Sequence, residues 1–243
     1  MAVRVSAFRL SRAGEGRECC ADAVSVRASA GRFAIADGAT EAYDSGRWAA
    51  LLTRAWTRTP VTSGEDVADA LARMGEALRR SWLRRPMPWY ADEKARQGSF
   101  ATLLGFQLCG GLGWYAVAVG DSCLFQERAG ELESAFPVSH PDDFGNQPAL
   151  VPSLPRRHRR WVKGIQVTTG TAAPGDVFLL MSDAIARWYL GTWPRRQALR
   201  QDLHRAMLTS DPGSLRQLVA GERRAGRLRD DDVAVLRIEL GGR

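Results

Sequence analysis

A turn, an apolar strand and an acidic strand end follow one another in Pro174-Gly175-Asp176-Val177-Phe178-Leu179-Leu180-Met181-Ser182-Asp183-Ala184. The first three residues are typical of a turn, since proline presets φ and glycine accepts a left-handed backbone. Val177–Met181 has the apolar composition of a strand, and a helical pattern runs from Ala184 to Leu190. Asp183 is therefore predicted to lie where a strand ends and a helix begins.

The same alternation of strands and helices extends in both directions. Further strands are predicted at Val24–Ala28, Arg32–Ala36, Ser99–Cys109, Gly113–Val119, Ser122–Gln126, Ile165–Thr169 and Val233–Leu240. Helical spacing predicts one helix around Trp48–Ala55, a second over Thr62–Trp82, and two more at Arg195–Leu208 and Ser214–Ala225. Clustered strands that alternate with helix pairs indicate a layered α+β domain. A nucleotide-binding βαβ array is disfavoured, because the sequence has no GxGxxG or Walker loop.

Composition places the chain among ordinary globular proteins. Its 243 residues are 45% hydrophobic and 25% charged, with a formal net charge of +7, which argues against disorder. No apolar run approaches the roughly 18 residues of a membrane helix, and the first residues lack the apolar block of a signal peptide. Adjacent Cys19 and Cys20 are poorly placed for a disulfide, and the four cysteines lack zinc spacing. We therefore expect a cytoplasmic protein with buried or reduced thiols. Length alone allows one large domain or two small ones, and we expect residues 1–243 to form a single domain.

One long segment, residues 134–164, is predicted to be irregular because it contains five prolines. It includes the basic run Arg156-Arg157-His158-Arg159-Arg160. A solvated loop in an arginine-rich chain is the favoured interpretation of this run, and a docking site for acidic protein segments is the alternative. Nucleic-acid binding is disfavoured, since only Trp161 could stack on a base nearby.

Four aspartates lie at predicted strand ends, where carboxylates from several strands can converge. They are Asp22, Asp37, Asp183 and Asp231. Carboxylates that lie close together repel unless cations sit between them, and an all-oxygen ligand set suits magnesium, manganese or calcium better than zinc. Taken alone, each aspartate is better explained as a turn residue, a helix cap, part of a solvated loop or a surface carboxylate, because turns and caps recruit aspartate routinely.

The order and flanking residues of these aspartates resemble the metal-dependent Ser/Thr protein phosphatases of type 2C. That family has an Arg and Asn-Glu-Asp, a strand pair ending in Asp-Gly, a Gly-Ser/Thr-x-Ala strand, a Gly-Asp-Ser turn, a Pro-Gly-Asp strand ending in Ser-Asp-Gly, and a closing Asp-Asn/Asp strand. The matching residues here are Arg17, Cys20-Ala21-Asp22, Asp37-Gly38, Gly98-Ser99-Phe100-Ala101, Gly120-Asp121-Ser122, Pro174–Ala184 and Asp231-Asp232.

The resemblance implies a four-layer α/β/β/α sandwich, in which two antiparallel sheets pack face to face with a helix pair outside each. It also implies that two Mn²⁺ or Mg²⁺ ions activate a water that hydrolyses phosphoserine or phosphothreonine on proteins, in opposition to a Ser/Thr kinase. Residue by residue, Asp37 would bridge the ions with help from the Gly38 carbonyl. Asp183 and Asp231 would complete one metal, Asp22 would serve the other, and Arg17 would clamp the phosphate.

Four positions depart from the family pattern, and one of them, Ala184 in place of the glycine of Ser-Asp-Gly, is a mild change. Ala21 replaces a glutamate that binds the second metal, and Arg187 replaces an aspartate that would join Asp121 at a third metal. The histidine that follows Asp-Gly in many members is missing, so Glu41 or a water would protonate the leaving group. The leading hypothesis is a phosphoprotein phosphatase. The alternatives are a catalytically weak or dead phosphatase-fold regulatory or binding module and, third, an arginine-rich nucleic-acid binder.

Overall fold

A computed structural model describes most of the chain. The described residues are 2–16, 19–40, 42–59, 69–70, 73, 98–145, 147–154, 159–193, 196–209 and 212–241. Arg17, Glu41 and residues 156–158 of the basic run, which the sequence predictions include, lie outside the described residues. Most of the predicted second helix lies outside them as well, although residues 69, 70 and 73 are helical.

The described residues form twelve strands and four main helices. The strands are β1 (Val3–Leu10), β2 (Ala23–Arg27), β3 (Arg32–Ala36), β4 (Phe100–Ala101), β5 (Leu103–Leu108), β6 (Gly113–Val119), β7 (Cys123–Arg128), β8 (Glu131–Phe136), β9 (Val151–Pro152), β10 (Ile165–Thr171), β11 (Val177–Met181) and β12 (Val233–Leu240). The helices are α1 (Ser45–Arg58), α2 (Asp183–Gly191), α3 (Gln197–Leu208) and α4 (Pro212–Arg224). All strand pairs are antiparallel. The strand order is β1-β12-β11-β7-β8 in the first sheet and β10-β6-β5-β3-β2 in the second, with β4 and β9 forming a small separate pair.

The two five-stranded sheets pack face to face, because alternate side chains of each strand point inward. Phe178 and Leu180 of β11 join Ile35 and Phe106 of the second sheet in one buried cluster. The rings of Phe106 and Phe178 lie 4.7 Å apart between centroids and connect the two sheets directly.

The outer face of each sheet is covered by helices. Leu179 and Met181 of β11 point away from the sandwich interior into a second cluster with α2, α3 and α4. On the other side, Trp48 and Trp56 of α1 pack on the outward residues of the second sheet. These layers confirm the predicted α/β/β/α arrangement, with three helices rather than two on the first sheet. Because both faces of β11 are buried, its sequence is a continuous apolar run.

Three strands were not predicted. β1 and β8 are edge strands of the first sheet, and both carry polar and half-exposed side chains. The predicted irregular segment therefore begins after Phe136, since Ser134–Phe136 pairs with β7. Inside that segment, β9 pairs with β4. No helix in the described ranges is long and apolar enough to cross a membrane.

The packing of α1 on the second sheet requires a glycine at position 105. A Cβ atom there would lie 2.2 Å from the Trp56 ring. We expect Gly105→Ala to lower the free energy of unfolding by about 2–3 kcal/mol through overpacking, measured by urea denaturation. Gly110→Ala is the matched control, since a Cβ there meets no described atom within 4 Å. Equal midpoints for the two variants would contradict this packing.

Candidate metal centre

The predicted site aspartates flank one end of each sheet. Asp22 precedes β2 and Asp37 follows β3, and these strands are antiparallel neighbours in the second sheet. Asp183 follows β11 and Asp231 lies just before β12, which are antiparallel neighbours in the first sheet. Two carboxylates from each sheet are thus brought to the same side of the sandwich.

Two hydrogen bonds with Thr102 hold the backbone of Asp37 in place. Its N–H donates to the Thr102 hydroxyl at 2.9 Å, and its carbonyl accepts from the Thr102 N–H at 2.8 Å. Gly38 follows in a bridge with Ala101. A Cβ at Gly38 would lie 2.7 Å from the Ser45 backbone, so a glycine allows α1 to begin directly against this turn.

Burial and neighbouring carboxylates disfavour the charged form of Asp37. Burial raises its pKa well above the ordinary value, and the charges of Asp22, Asp183 and Asp231 raise it further. The structure therefore brings the four predicted carboxylates within electrostatic reach of one another.

Asp22 is the most enclosed of the four, with 1% of its surface exposed. Its pKa is raised by burial and then by Asp232 and Asp183, while contacts with Ser182 and Asp37 oppose the rise. Its Oδ2 atom is buried and has no hydrogen-bond partner within the described part of the chain. A buried carboxylate oxygen without a partner is costly unless something positive or a donor lies against it.

Asp183 is positioned by the junction of β11 and α2. Ser182 connects β11 to β12 through two hydrogen bonds with Ala234, one from the Ser182 N–H at 3.1 Å and one to its hydroxyl at 2.9 Å. The pKa of Asp183 is raised by burial and by Asp231, and Arg229 and Arg12 oppose the rise. Asp183 is the first residue of α2, so it lies between the end of a strand and the start of a helix, as the sequence predicts.

Asp231 is held by two arginines that the sequence analysis did not select. Arg12 lies 2.7 Å from Asp231 Oδ1, and Arg229 lies 2.5 Å from Asp231 Oδ2. Arg229 also approaches Asp183 at 3.7 Å, so two guanidinium groups partly neutralise this half of the cluster. Neither arginine stands in a recognisable motif, and Arg12 is far from Asp231 in sequence.

The run Asp230-Asp231-Asp232 is an ordered anchor rather than a solvated loop. Asp232 is buried, and its two oxygens accept from the backbone N–H of Arg12 at 3.1 Å and of Ala21 at 2.6 Å. Asp230 accepts from the Ala13 N–H at 2.9 Å. These hydrogen bonds hold Arg12 and Ala13 at one end, and Ala21 at the other end, of the segment that precedes Asp22.

Asp121 is also buried beside this cluster. Burial and then the charge of Asp183 raise the pKa of Asp121 to about 6, with Arg229 acting in the opposite direction. Arg187, which stands where the family often has an aspartate for a third metal, is exposed on α2. Asp121 thus adds a further carboxylate near Asp183.

The donor chemistry of this cluster fits a divalent cation bound by oxygen. Burial first, and then the charges of neighbouring aspartates, raise the pKa values of Asp22 and Asp37, and Asp22 supplies an oxygen with no described partner. Within the described ranges, however, no group of three or more His, Cys, Asp or Glu residues is already arranged to hold a metal ion. The thiols contribute no disulfide, since all four cysteines are free.

Several solved structures share this fold. PppA, described as a key regulatory component of T6SS in Pseudomonas aeruginosa, superimposes with a TM-score of 0.62 at 21% identity and covers 98% of each chain. The Mycobacterium tuberculosis serine/threonine phosphatase PstP/Ppp gives a TM-score of 0.62 at 20% identity over 100% of both chains. The catalytic domain of PstP in complex with two manganese ions gives 0.63 at 18% identity over 99% of both chains.

Sequence comparison identifies the family. No curated protein sequence matches the chain significantly. The family model described as protein phosphatase 2C matches residues 12–220, which include three of the four strand-end aspartates. This match confirms the resemblance in the sequence motifs: the chain belongs to the protein phosphatase 2C family.

Proposed function

We propose that this protein hydrolyses phosphoserine and phosphothreonine in other proteins with the help of two divalent cations, Mn²⁺ or Mg²⁺. The observation that carries the proposal is the convergence of Asp22, Asp37, Asp183 and Asp231 from the ends of two sheets, with pKa values raised for the first three. Such a cluster is unfavourable by itself and favourable around cations.

In this proposal, Asp37 would hold both ions with help from the Gly38 carbonyl, Asp183 and Asp231 would complete the site of one ion, and Asp22 would serve the other. When bound, the ions neutralise phosphate charge and make a water more acidic. Thr102 keeps the Asp37 backbone in place through its two hydrogen bonds. Arg17 binds the phosphate through its planar guanidinium.

The proposed substrate is a phosphorylated protein, and the proposed partner enzyme is a Ser/Thr kinase that installs the phosphate. Two structural relatives support a signalling role, since one is described as a serine/threonine phosphatase and the other as a regulatory component.

Two observations favour a second candidate, a phosphatase-fold binding or regulatory module without catalysis. Arg12 and Arg229 already occupy the carboxylate of Asp231, and Ala21 supplies no carboxylate to the second ion. Each feature would weaken one of the two proposed metal sites.

The two candidates are separated by assaying the purified wild-type chain with a phosphothreonine peptide over Mn²⁺, Mg²⁺ and Ca²⁺. The catalytic proposal expects phosphate release with Mn²⁺ or Mg²⁺ that stops when EDTA is added. If no metal supports release while the folded chain still binds the peptide, the module takes the place of the enzyme.

Position 21 offers a gain-of-function prediction. Ala21 lines a cavity of about 750 Å³ together with Arg12, Cys20 and Asp232, which leaves room for a longer side chain. We expect Ala21→Glu to bind Mn²⁺ roughly tenfold more tightly, because it adds a charged oxygen ligand. Isothermal titration calorimetry measures this, with Ala21→Gln as the neutral control of the same shape. Identical affinities in all three proteins would mean that position 21 does not face the metal.

A further inference from the structure

A second cavity, of about 600 Å³, opens beside Asp183 and is dominated by positive charge. It lies between α2, the loop around Pro141–Gly145 and the residues that lead to β12. We call it the α2 cavity. Its charged lining residues are Asp142, Asp183, Arg187, Arg196, Arg227 and Arg229. Four guanidinium groups against two carboxylates make this cavity a favourable place for an anion.

The four arginines differ in how they are already engaged. Arg227 makes two hydrogen bonds to Glu222, at 2.7 and 2.5 Å, and Arg229 is paired with Asp231. Arg187 is exposed, and the described residues include no carboxylate in an ion pair with it. Arg196 is exposed too, and no carboxylate of the described residues forms an ion pair with it. Arg187 and Arg196 are thus the cations best able to accept a ligand.

Helix geometry places one of these two arginines next to the carboxylate cluster. Arg187 follows Asp183 by four residues on α2, so the two side chains lie on the same helix face about one turn apart. Both line the α2 cavity. A peptide whose phosphate is bound at the proposed metal site beside Asp183 would therefore have a positively charged cavity directly next to it.

We propose that the α2 cavity binds a second anionic side chain of the substrate, close in sequence to the phosphoresidue that is hydrolysed. This inference rests on the proposed phosphatase function and specifies its substrates. Either the carboxylate of an acidic residue or a second phosphate has the required chemistry, since both form charge-assisted hydrogen bonds with guanidinium groups. Arg187 is the specificity-determining residue.

The test compares phosphothreonine peptides in which one flanking residue at a time is alanine, glutamate or phosphoserine. For wild type, we expect kcat/KM to be about fivefold higher when the best flanking position is anionic, the size of an exposed charge contact. Arg187→Gln should reduce this ratio to about one. Arg216→Gln, an exposed arginine on α4 outside the cavity, should leave the ratio unchanged. The ratio should also fall as salt screens the contact.

The glutamate and phosphoserine peptides show which anion the cavity prefers. A wild type without any anionic preference, or an Arg187→Gln variant that keeps the preference, would overturn the inference. Hydrolysis of the alanine-flanked phosphothreonine peptide by wild type would still uphold the proposed function. Fluorescence polarisation in EDTA supplies a readout without catalysis. If no phosphate ester is hydrolysed but the anionic peptide still binds through Arg187, the cavity assignment holds and the enzymatic proposal fails.

Discussion

Asp37→Asn is expected to lower Mn²⁺-dependent hydrolysis of a phosphothreonine peptide by at least about a hundredfold, since it removes the charge that both proposed cations share. The measurement is phosphate release at saturating Mn²⁺. Asp231→Asn should also inactivate the enzyme, but its carboxylate additionally pairs with Arg12 and Arg229, so Asp37 is the cleaner test.

The stability of Asp37→Asn provides the control. The folded chain raises the pKa of Asp37 above its unfolded value, so in metal-free wild type this group favours folding most at low pH, and that contribution is lost as pH rises through the folded pKa. Asparagine does not ionise, so the variant does not lose stability at this position as the pH rises. In EDTA, its stability relative to wild type should therefore increase from pH 5 to pH 8, as measured by urea denaturation. An active variant, or one that is unfolded at both pH values, would contradict the assignment.

Asp232→Ala is expected to have the largest effect on stability near the site, about 3 kcal/mol at neutral pH. It leaves the N–H groups of Arg12 and Ala21 without their buried acceptor. The free energy of unfolding from urea titration measures the effect. Loss of this anchor should also weaken Mn²⁺ binding, because Asp22 directly follows Ala21.

Two neighbouring variants serve as comparisons for Asp232→Ala. Asp232→Asn keeps one acceptor oxygen and should cost less. The Asp230 side chain is 53% exposed, so Asp230→Ala should cost at most about 1 kcal/mol. Equal losses for Asp230→Ala and Asp232→Ala would show that the run behaves as a solvated loop after all.

The apolar composition of the strands was sufficient to predict the centre of both sheets. β11 and β6 are continuous apolar runs because the sandwich interior buries one face and the helices bury the other. Asp37 and Asp183 could be located in the same way, since each stands where such a run stops.

The sequence alone determined which aspartates stand at strand ends, because an apolar run and the turn after it are local features. Only the tertiary structure decided which charges surround them. Arg12 contacts Asp231 and Asp232 across more than two hundred residues of chain, and the edge strand β1 that leads to Arg12 lacks a buried apolar run. Such contacts depend on how β1 pairs with β12, and strand pairing between distant segments leaves no local pattern in a half-exposed, polar strand.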